Sequence, residues 1–507
     1  MAVTTPSDET GRGRAGRGCA LVAAVGLVVI GGCGLAAHLY DRHWEKKVEA
    51  KLAEYRAAGQ PVTWAEVLAA RQSIPDEENS ALILLEAFKQ FAPPEGACQL
   101  VLLCGSGWTG GARHSEDVRK LTAAHLGANR AALATIRRAA VFRQGTYPIG
   151  QALDIERFCK DSLVGLRHAF SLCHMEACYD AGSGDAERAA RALVCGRRTV
   201  ASIGQGALMI EVLVRIAGEG IWAAAVQRTL ELCELPADGL QDLRGEIAQE
   251  DAQLSLHLAF RGDRSPELVE LSFVWASELP WSTREGLPWR LRELIPSQRH
   301  KDALLYYDVM DQGADICRLP LSERCAAAAR LEKVAQKQLE RAQVLHTRSA
   351  ISLPTIARCF EAEVQAHAAL RVADAALAAE QWRLEHGHWP DSLDQLVPEL
   401  LDEVPDDPFW KEKIRYRGTE DGVIVYSVGP DGQDDKGTPQ EEATDDRYDI
   451  TFRLLDPGLR GAGTLTFRDQ VMDTGLKLQD LEEAGYTEEK LGALGFSEED
   501  IKKLDRP

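Results

Sequence analysis

Between Asp391 and Asp449 the chain carries 18 acidic against 6 basic residues, a net of −12 within a total of −20 for 507 residues. Carboxylates at that density do one of two things. They form a solvated, solubilising surface, or they gather around a hard divalent cation, which takes oxygen ligands from loops. The other residues with chemical potential are more scattered. Twelve cysteines lie between Cys19 and Cys359, and only the pairs Cys98/Cys104 and Cys173/Cys178 are close in sequence. Neither has the Cys-x-x-Cys spacing of a zinc or redox motif, and His174 beside Cys173 reads as a packed residue on an apolar helix. Glu176 and Asp180 share a helix face and read as an exposed carboxylate pair. Trp275, Trp281 and Trp289 fall in one Pro-containing stretch, Ser272 to Pro296, where they either anchor a long connection or line a ligand groove.

Signatures of catalysis are missing from the sequence. It has no phosphate-binding Gly-x-x-x-x-Gly-Lys, no Gly-x-Ser-x-Gly elbow, no His-Glu-x-x-His and no dinucleotide Gly-x-Gly-x-x-Gly after a strand. Lys and Arg total 58 against 78 Asp and Glu, without a basic patch to offset them. Nucleic acid is therefore an unsuitable partner, because binding phosphates requires clustered cations.

The elements that must position these residues are mainly helical. A chain of this length divides into several domains. From Trp44 to Leu384 apolar residues recur at three- and four-residue spacing with few β-branched runs, which predicts helices. Expected helices include Ser115 to Phe142, Ile155 to Asp180, Ala186 to Ile203, Ala207 to Cys233, Asp238 to Phe260 and Ile356 to His386. The join at Gly182-Ser183-Gly184-Asp185 resembles the turn of a tetratricopeptide-type repeat. No second copy occurs at the 34-residue period of such repeats, so a solenoid and an irregular bundle both fit residues 41–360.

Cys19 to Tyr40 forms 22 residues without formal charge apart from His38, long enough to cross a hydrocarbon layer of about 30 Å. Arg12, Arg14 and Arg17 before it favour a cytoplasmic tail over 1–17, an anchor over 18–40 and an exported remainder. Arg42, Lys46 and Lys47 after it oppose that orientation. Ile30-Gly31-Gly32-Cys33 offers the alternative of a lipidated Cys33, against which the apolar run continues to Tyr40.

Residues 361–455 read as a small α+β unit. A helix stops at Gly387 with Pro390 behind it, and Ile414, Tyr416, Val423 and Val425 alternate with polar neighbours as in a half-buried hairpin turning at Gly418 to Gly422. The order of motifs is Gly387-His388-Trp389-Pro390, Pro405-Asp406-Asp407-Pro408-Phe409, Tyr416, Tyr426-Ser427-Val428-Gly429-Pro430-Asp431-Gly432 and Tyr448-Asp449-Ile450. That series resembles the globular domain of the major pseudopilins of type II secretion systems, over about one sixth of the chain. The resemblance implies a calcium site after the Tyr-Ser strand, with Asp431 and Asp449 as ligands by position and Asp434 and Asp435 as additional oxygens. Two departures stand out: Pro430 replaces the family's Ala, and no Glu lies within the apolar run, so polymerisation as a pilus subunit is not expected. The whole chain resembles large membrane-anchored proteins of planctomycete-like bacteria that place this domain after a helical region. Within residues 456–507, Leu481 to Thr487 and Leu491 to Ser497 repeat at a ten-residue period with Thr487 and Ser497 as N-caps, predicting a small helical appendage.

These readings predict a mainly α protein: a transmembrane helix, a long helical region and a small pseudopilin-like domain. Its expected role is a non-catalytic, single-pass envelope scaffold that binds envelope proteins and holds Ca²⁺ in its acidic loop. The alternative is an exported, hydrolase-like enzyme with its site in the helical region around the tryptophan stretch.

Overall fold

The computed structural model describes residues 12–71, 73–92, 110–149, 155–204, 206–251, 254–266, 268, 296–341, 355–438, 448–472, 477–483 and 485–504, with side chains from Gly31 onward except at 155–156, 249–251, 296, 339–341, 480 and 483. The fold is mainly helical, with a single three-stranded antiparallel sheet among the described residues, late in the chain. The tryptophans of the Ser272 to Pro296 stretch, and Cys98 and Cys104, lie outside the described residues.

The first helix, α1 (Arg12–Ala57), runs unbroken for 46 residues, about 70 Å at the usual rise per residue. Its last turns pack against α12 (Pro296–Ile316) in a cluster holding Tyr55, Phe260, Tyr307 and Phe360. Helices α2 (Trp64–Ala69) and α3 (Ser80–Phe88) follow. Thr63 caps α2, its hydroxyl accepting the Glu66 amide while the Glu66 carboxylate reaches back.

The helix expected over Ser115 to Phe142 is two helices, α4 (Glu116–Ala128) and α5 (Arg130–Ala139). Asn129 makes the break. Fully buried, its side chain accepts the Ala92 amide and donates to the His125 carbonyl, while its backbone, at φ −93° and ψ 13°, leaves the helical range. After α6 (Ile155–Phe158) and a π turn over Cys159–Leu163, α7 (Val164–Gly182) and α8 (Ala186–Ala201) form the helix pair expected from the Gly182 to Asp185 join. Gly184 sits there at φ 84°, and Asp185 caps α8 through the Arg188 amide. Helix α9 (Met209–Leu232) follows, and the expected Asp238 to Phe260 helix is split into α10 (Ala237–Asp251) and α11 (His257–Asp263). Helix α13 is Leu321–Arg341.

Helix α14 (Ile356–His386) organises the rest. It is buried on nearly every side, polar residues such as Glu363, His367 and Glu380 included, and it packs against α9, α10, α13 and the sheet. Ala373, Ala375, Ala376, Ala378 and Ala379 are all completely enclosed, and their small side chains let neighbours approach closely. The helix ends as its sequence predicts: Gly387 adopts φ 76° and its amide closes on the Arg383 carbonyl.

Strands β1 (Arg415–Gly418), β2 (Gly422–Ser427) and β3 (Ile450–Leu455) lie in that order, with Tyr416 opposite Val425 and Val425 opposite Phe452. The hairpin is where expected, but β2 is buried on both faces rather than half-buried. Val423 and Val425 join the α14 core. On the other face, Gly437 of the acidic loop lies so close to Ile424 and Tyr426 that a Cβ there would meet Ile424 at 3.0 Å.

The last helices, α15 (Phe467–Met472), α16 (Leu478–Glu483), α17 (Glu488–Ala493) and α18 (Glu498–Leu504), form a cluster around Phe467, Val471, Leu481, Leu491 and Phe496 that includes Val118 of α4. Thr487 and Ser497 cap α17 and α18 by accepting the amides of Lys490 and Asp500.

Candidate functional site

The four aspartates singled out by the sequence lie on the loop that covers β2 or just after it, and each has a distinct setting. Asp449 is buried, and its carboxylate accepts the amides of Gly437 at 2.6 Å and Asp435 at 3.4 Å. Burial pushes its pKa up to about 6, against the pull of those two amides. Asp434 is exposed; it accepts the Lys436 amide and meets the Arg415 guanidinium at 3.3 Å. Asp431 caps its own turn through the Gln433 amide. One oxygen of Asp431 and one of Asp435 are enclosed without a hydrogen-bond partner.

Two enclosed, unmet carboxylate oxygens in one loop fit a hard cation in kind. In placement the set is dispersed, since among the described residues no three His, Cys, Asp or Glu side chains gather closely enough to hold a metal ion. What the loop demonstrably does is cover the sheet, with Asp449 tying down its backbone. Lys436 beside that tie stands at φ 60°, a conformation that costs a non-glycine residue.

The Asp-Pro motif has a role that spacing alone did not reveal. Asp407 is buried; its carboxylate accepts the Ser427 hydroxyl at 2.8 Å and the amides of Val428 and Phe409. Two of the quoted motifs therefore meet in one hydrogen-bond set that fixes the end of β2. Asp407→Ala leaves a buried hydroxyl and two amides unmet. The expected loss is about 2–4 kcal/mol of stability, read as a drop in denaturant midpoint at unchanged slope; a loss under about 0.5 kcal/mol refutes this role.

Glu176 and Asp180 are not the exposed pair that the sequence predicts. Both are buried, and they line a cleft of about 530 Å³ between α5, α7 and α8, facing Arg137, Arg188, Arg191 and Arg198. Arg137 pairs with Glu176, Arg188 with Asp180 at 3.3 Å, and Arg198 with Glu246 at 2.8 Å. Burial pushes Asp180 up to about 6 despite Arg188. An acid of that strength beside a second carboxylate can exchange a proton near neutral pH. Residues from three helices make the cleft, so no local pattern announces it.

The nine described cysteines are free thiols. Burial pushes Cys178 up to about 12 and Cys233, Cys325 and Cys359 up to about 11, which keeps them protonated and unreactive.

At the other end of the molecule, every residue from Gly31 to Tyr40 is exposed along α1, with Leu35 and Leu39 about 60% accessible. Tyr40 and Trp44 then meet edge to face, with the Lys301 ammonium 4.9 Å from each ring and the Lys47 ammonium 4.1 Å over Trp44. Lys301 also donates to the Tyr40 hydroxyl at 2.7 Å. Among the described residues no helix is long and apolar enough to cross a membrane; the side chains of Cys19 to Ile30 lie outside that set.

Comparison with family models, with curated proteins and with solved structures returns no match to this chain.

Proposed function

We propose that the chain is a single-pass, membrane-anchored envelope protein whose exported body acts as a non-catalytic scaffold for other envelope proteins. The observation that carries this reading is the junction at Tyr40. The exposed part of the apolar stretch, Gly31 to Tyr40, leads into an aromatic and lysine belt, the arrangement that favours the boundary between hydrocarbon and water. Helix α1 continues from the apolar stretch into the core beside α12 without an intervening loop. The pseudopilin-like order of motifs in 361–455 supports a place among secretion or envelope-organising proteins.

Removing residues 1–40 should release the protein into the soluble fraction after alkaline carbonate extraction, while the full chain stays with the membrane pellet. A full chain that washes off with carbonate defeats the anchor. Protease shaving of spheroplasts should digest the body; protection of the body would reverse the orientation.

In this reading Ca²⁺ orders the acidic loop, held by Asp431 and Asp449 with Asp434 and Asp435. The cation competes with protons on Asp449. The sign follows from its raised pKa: protonation favours the folded state below about pH 6, and the bare loop loses stability as pH rises from about 4 through 6. Calcium should therefore raise the melting temperature of the full chain more at pH 7.5 than at pH 5, and Asp431→Ala should abolish the gain. Equal shifts at both pH values, or none, exclude the site.

The cleft that holds Asp180 favours one other reading, an exported hydrolase-like enzyme using Asp180 as a general acid. Hydrolase activity of the purified chain that vanishes in Asp180→Asn would establish it over the scaffold.

A further inference from the structure

The last helices enclose an apolar core of their own, with Phe467, Leu481, Leu491 and Phe496 at its centre, and meet the rest of the chain at a joint built on residues 112–118. There Arg113 and Thr464 form a parallel bridge, the Arg113 amide donating to the Gly463 carbonyl at 3.1 Å and the Leu465 amide to the Arg113 carbonyl at 2.8 Å. The Gly461 amide donates to the Glu231 carbonyl at 3.0 Å, and Val118 of α4 enters the appendage's cluster.

One side chain closes the joint. Gln470 of α15 accepts the Ser115 amide on Oε1 at 2.9 Å and donates through Nε2 to Nδ1 of His114. The first bond fixes the second, because an amide turned over would set its NH2 against the Ser115 N–H. His114 must therefore present a bare Nδ1, which a protonated imidazole lacks.

The charges around that ring also oppose a proton. Arg228 of α9 acts on it from the Ala112 carbonyl, to which it donates at 2.6 Å, and Glu231 is taken up by Arg228 itself at 2.8 Å. His174 of α7 is near enough to lower the proton affinity of His114, and its own Nε2 is enclosed without a hydrogen-bond partner. Arg113 adjoins the ring in sequence, while Asp117 of α4 acts on Tyr486 of the appendage. Among the described residues no carboxylate acts on either imidazole. Burial, with Arg228 and His174 adding to it, pushes His114 down to about 3.

We propose that this joint is an acid-sensitive latch: neutral His114 holds the C-terminal appendage on the body through Gln470, and protonating His114 releases it. The sign follows from the two states. Released, the imidazole takes its proton near pH 6.5; docked, it resists to far lower pH. Docking is thus at full strength above about pH 6.5 and weakens tenfold for each unit below, until the docked value is reached. The latch is independent of the anchor and of the acidic loop.

The test is hydrogen exchange of the full chain in detergent at pH 7.5 and pH 5.0, each corrected for the intrinsic rate at its pH. Amides within 113–118 and 461–470 should lose about thirtyfold in protection at pH 5.0, with those of α14 unchanged. His114→Asn sets an amide oxygen where Nδ1 stood, so it keeps the Gln470 bond and cannot titrate; its joint should stay protected at both pH values. Gln470→Glu can accept the Ser115 amide and pair with a protonated His114, and should likewise cancel the loss. Joint amides of the parent that keep their protection at pH 5.0, or lose it only together with α14, overturn the proposal. So does an undiminished loss in His114→Asn.

Discussion

Replacing Glu380 with alanine is expected to lower the unfolding free energy by about 3–5 kcal/mol, the usual cost of leaving a buried charge without its partner. Glu380 is completely enclosed on α14. Arg460 grips it with two parallel bonds of 2.6 and 2.8 Å, and Arg383 adds bonds of 3.0 and 2.8 Å. Arg383 reaches on to Glu234 at 2.6 Å, while Arg460 also donates to the Leu455 carbonyl. One carboxylate thus joins the central helix, the end of α9's loop and the chain after β3. Removing it leaves the Arg460 guanidinium, only 3% accessible, without a carboxylate, while Arg383 keeps Glu234 alone. The double variant Glu380→Met with Arg460→Met should recover much of the loss, because apolar residues of similar volume tolerate the site better than a lone charge does. A double variant no better than Glu380→Ala would mean that shape, not charge, dominates there. The pH dependence has a definite sign. Burial alone would raise the pKa of Glu380, but Arg460 and Arg383 outweigh it and hold the carboxyl below its ordinary value. Its contribution is therefore present above the unfolded pKa, about 4.3, and is lost as pH falls through the lower folded value.

Much of this architecture was legible in the sequence, and the reasons for success and failure differ by residue. Helices such as α8 and α14 were readable because their spacing and caps, Asp185 and Gly387, are local facts. The hairpin of β1 and β2 was readable for the same reason, since Gly418 to Gly422 signals its turn. The double burial of β2 was not, because its second face is covered by a loop whose path depends on Asp449 gripping the Gly437 amide. Asn129 was read as a helix residue because its break is stabilised by Ala92, 37 positions away. Glu176 and Asp180 were read as surface charge because the arginines enclosing them come from α5 and α8. The four aspartates were found as chemistry-bearing residues, yet type and spacing do not dictate that their side chains converge.

The segment 361–455, expressed alone, should fail to fold cooperatively even though its order of elements reads as a complete α+β unit. In the whole chain, its helix and sheet share one core with α7 to α10: Leu370, Leu377, Val425 and Phe452 cluster with Leu193, Trp222, Leu230 and Leu243. Helix α14 is buried on the side facing the sheet and equally on the sides facing α9 and α10. Cutting at 361 exposes that second set of surfaces and removes the first five residues of α14, more than a full turn. It also takes away Arg460, the bidentate partner of Glu380, and Arg244, which holds Asp374, Gln381 and the Leu400 carbonyl. A segment of some 95 residues has little stability to spare, and about 25 cal/mol is lost for each Å² of apolar surface newly exposed to water. The fragment should keep helical far-ultraviolet circular dichroism, lose its near-ultraviolet signal, bind a hydrophobic dye and unfold without a sharp transition. Residues 41–507 should instead unfold in a cooperative transition. A fragment with a sharp transition and a native near-ultraviolet spectrum would show that the shared core is dispensable, and that the α+β unit stands on its own sheet and helix.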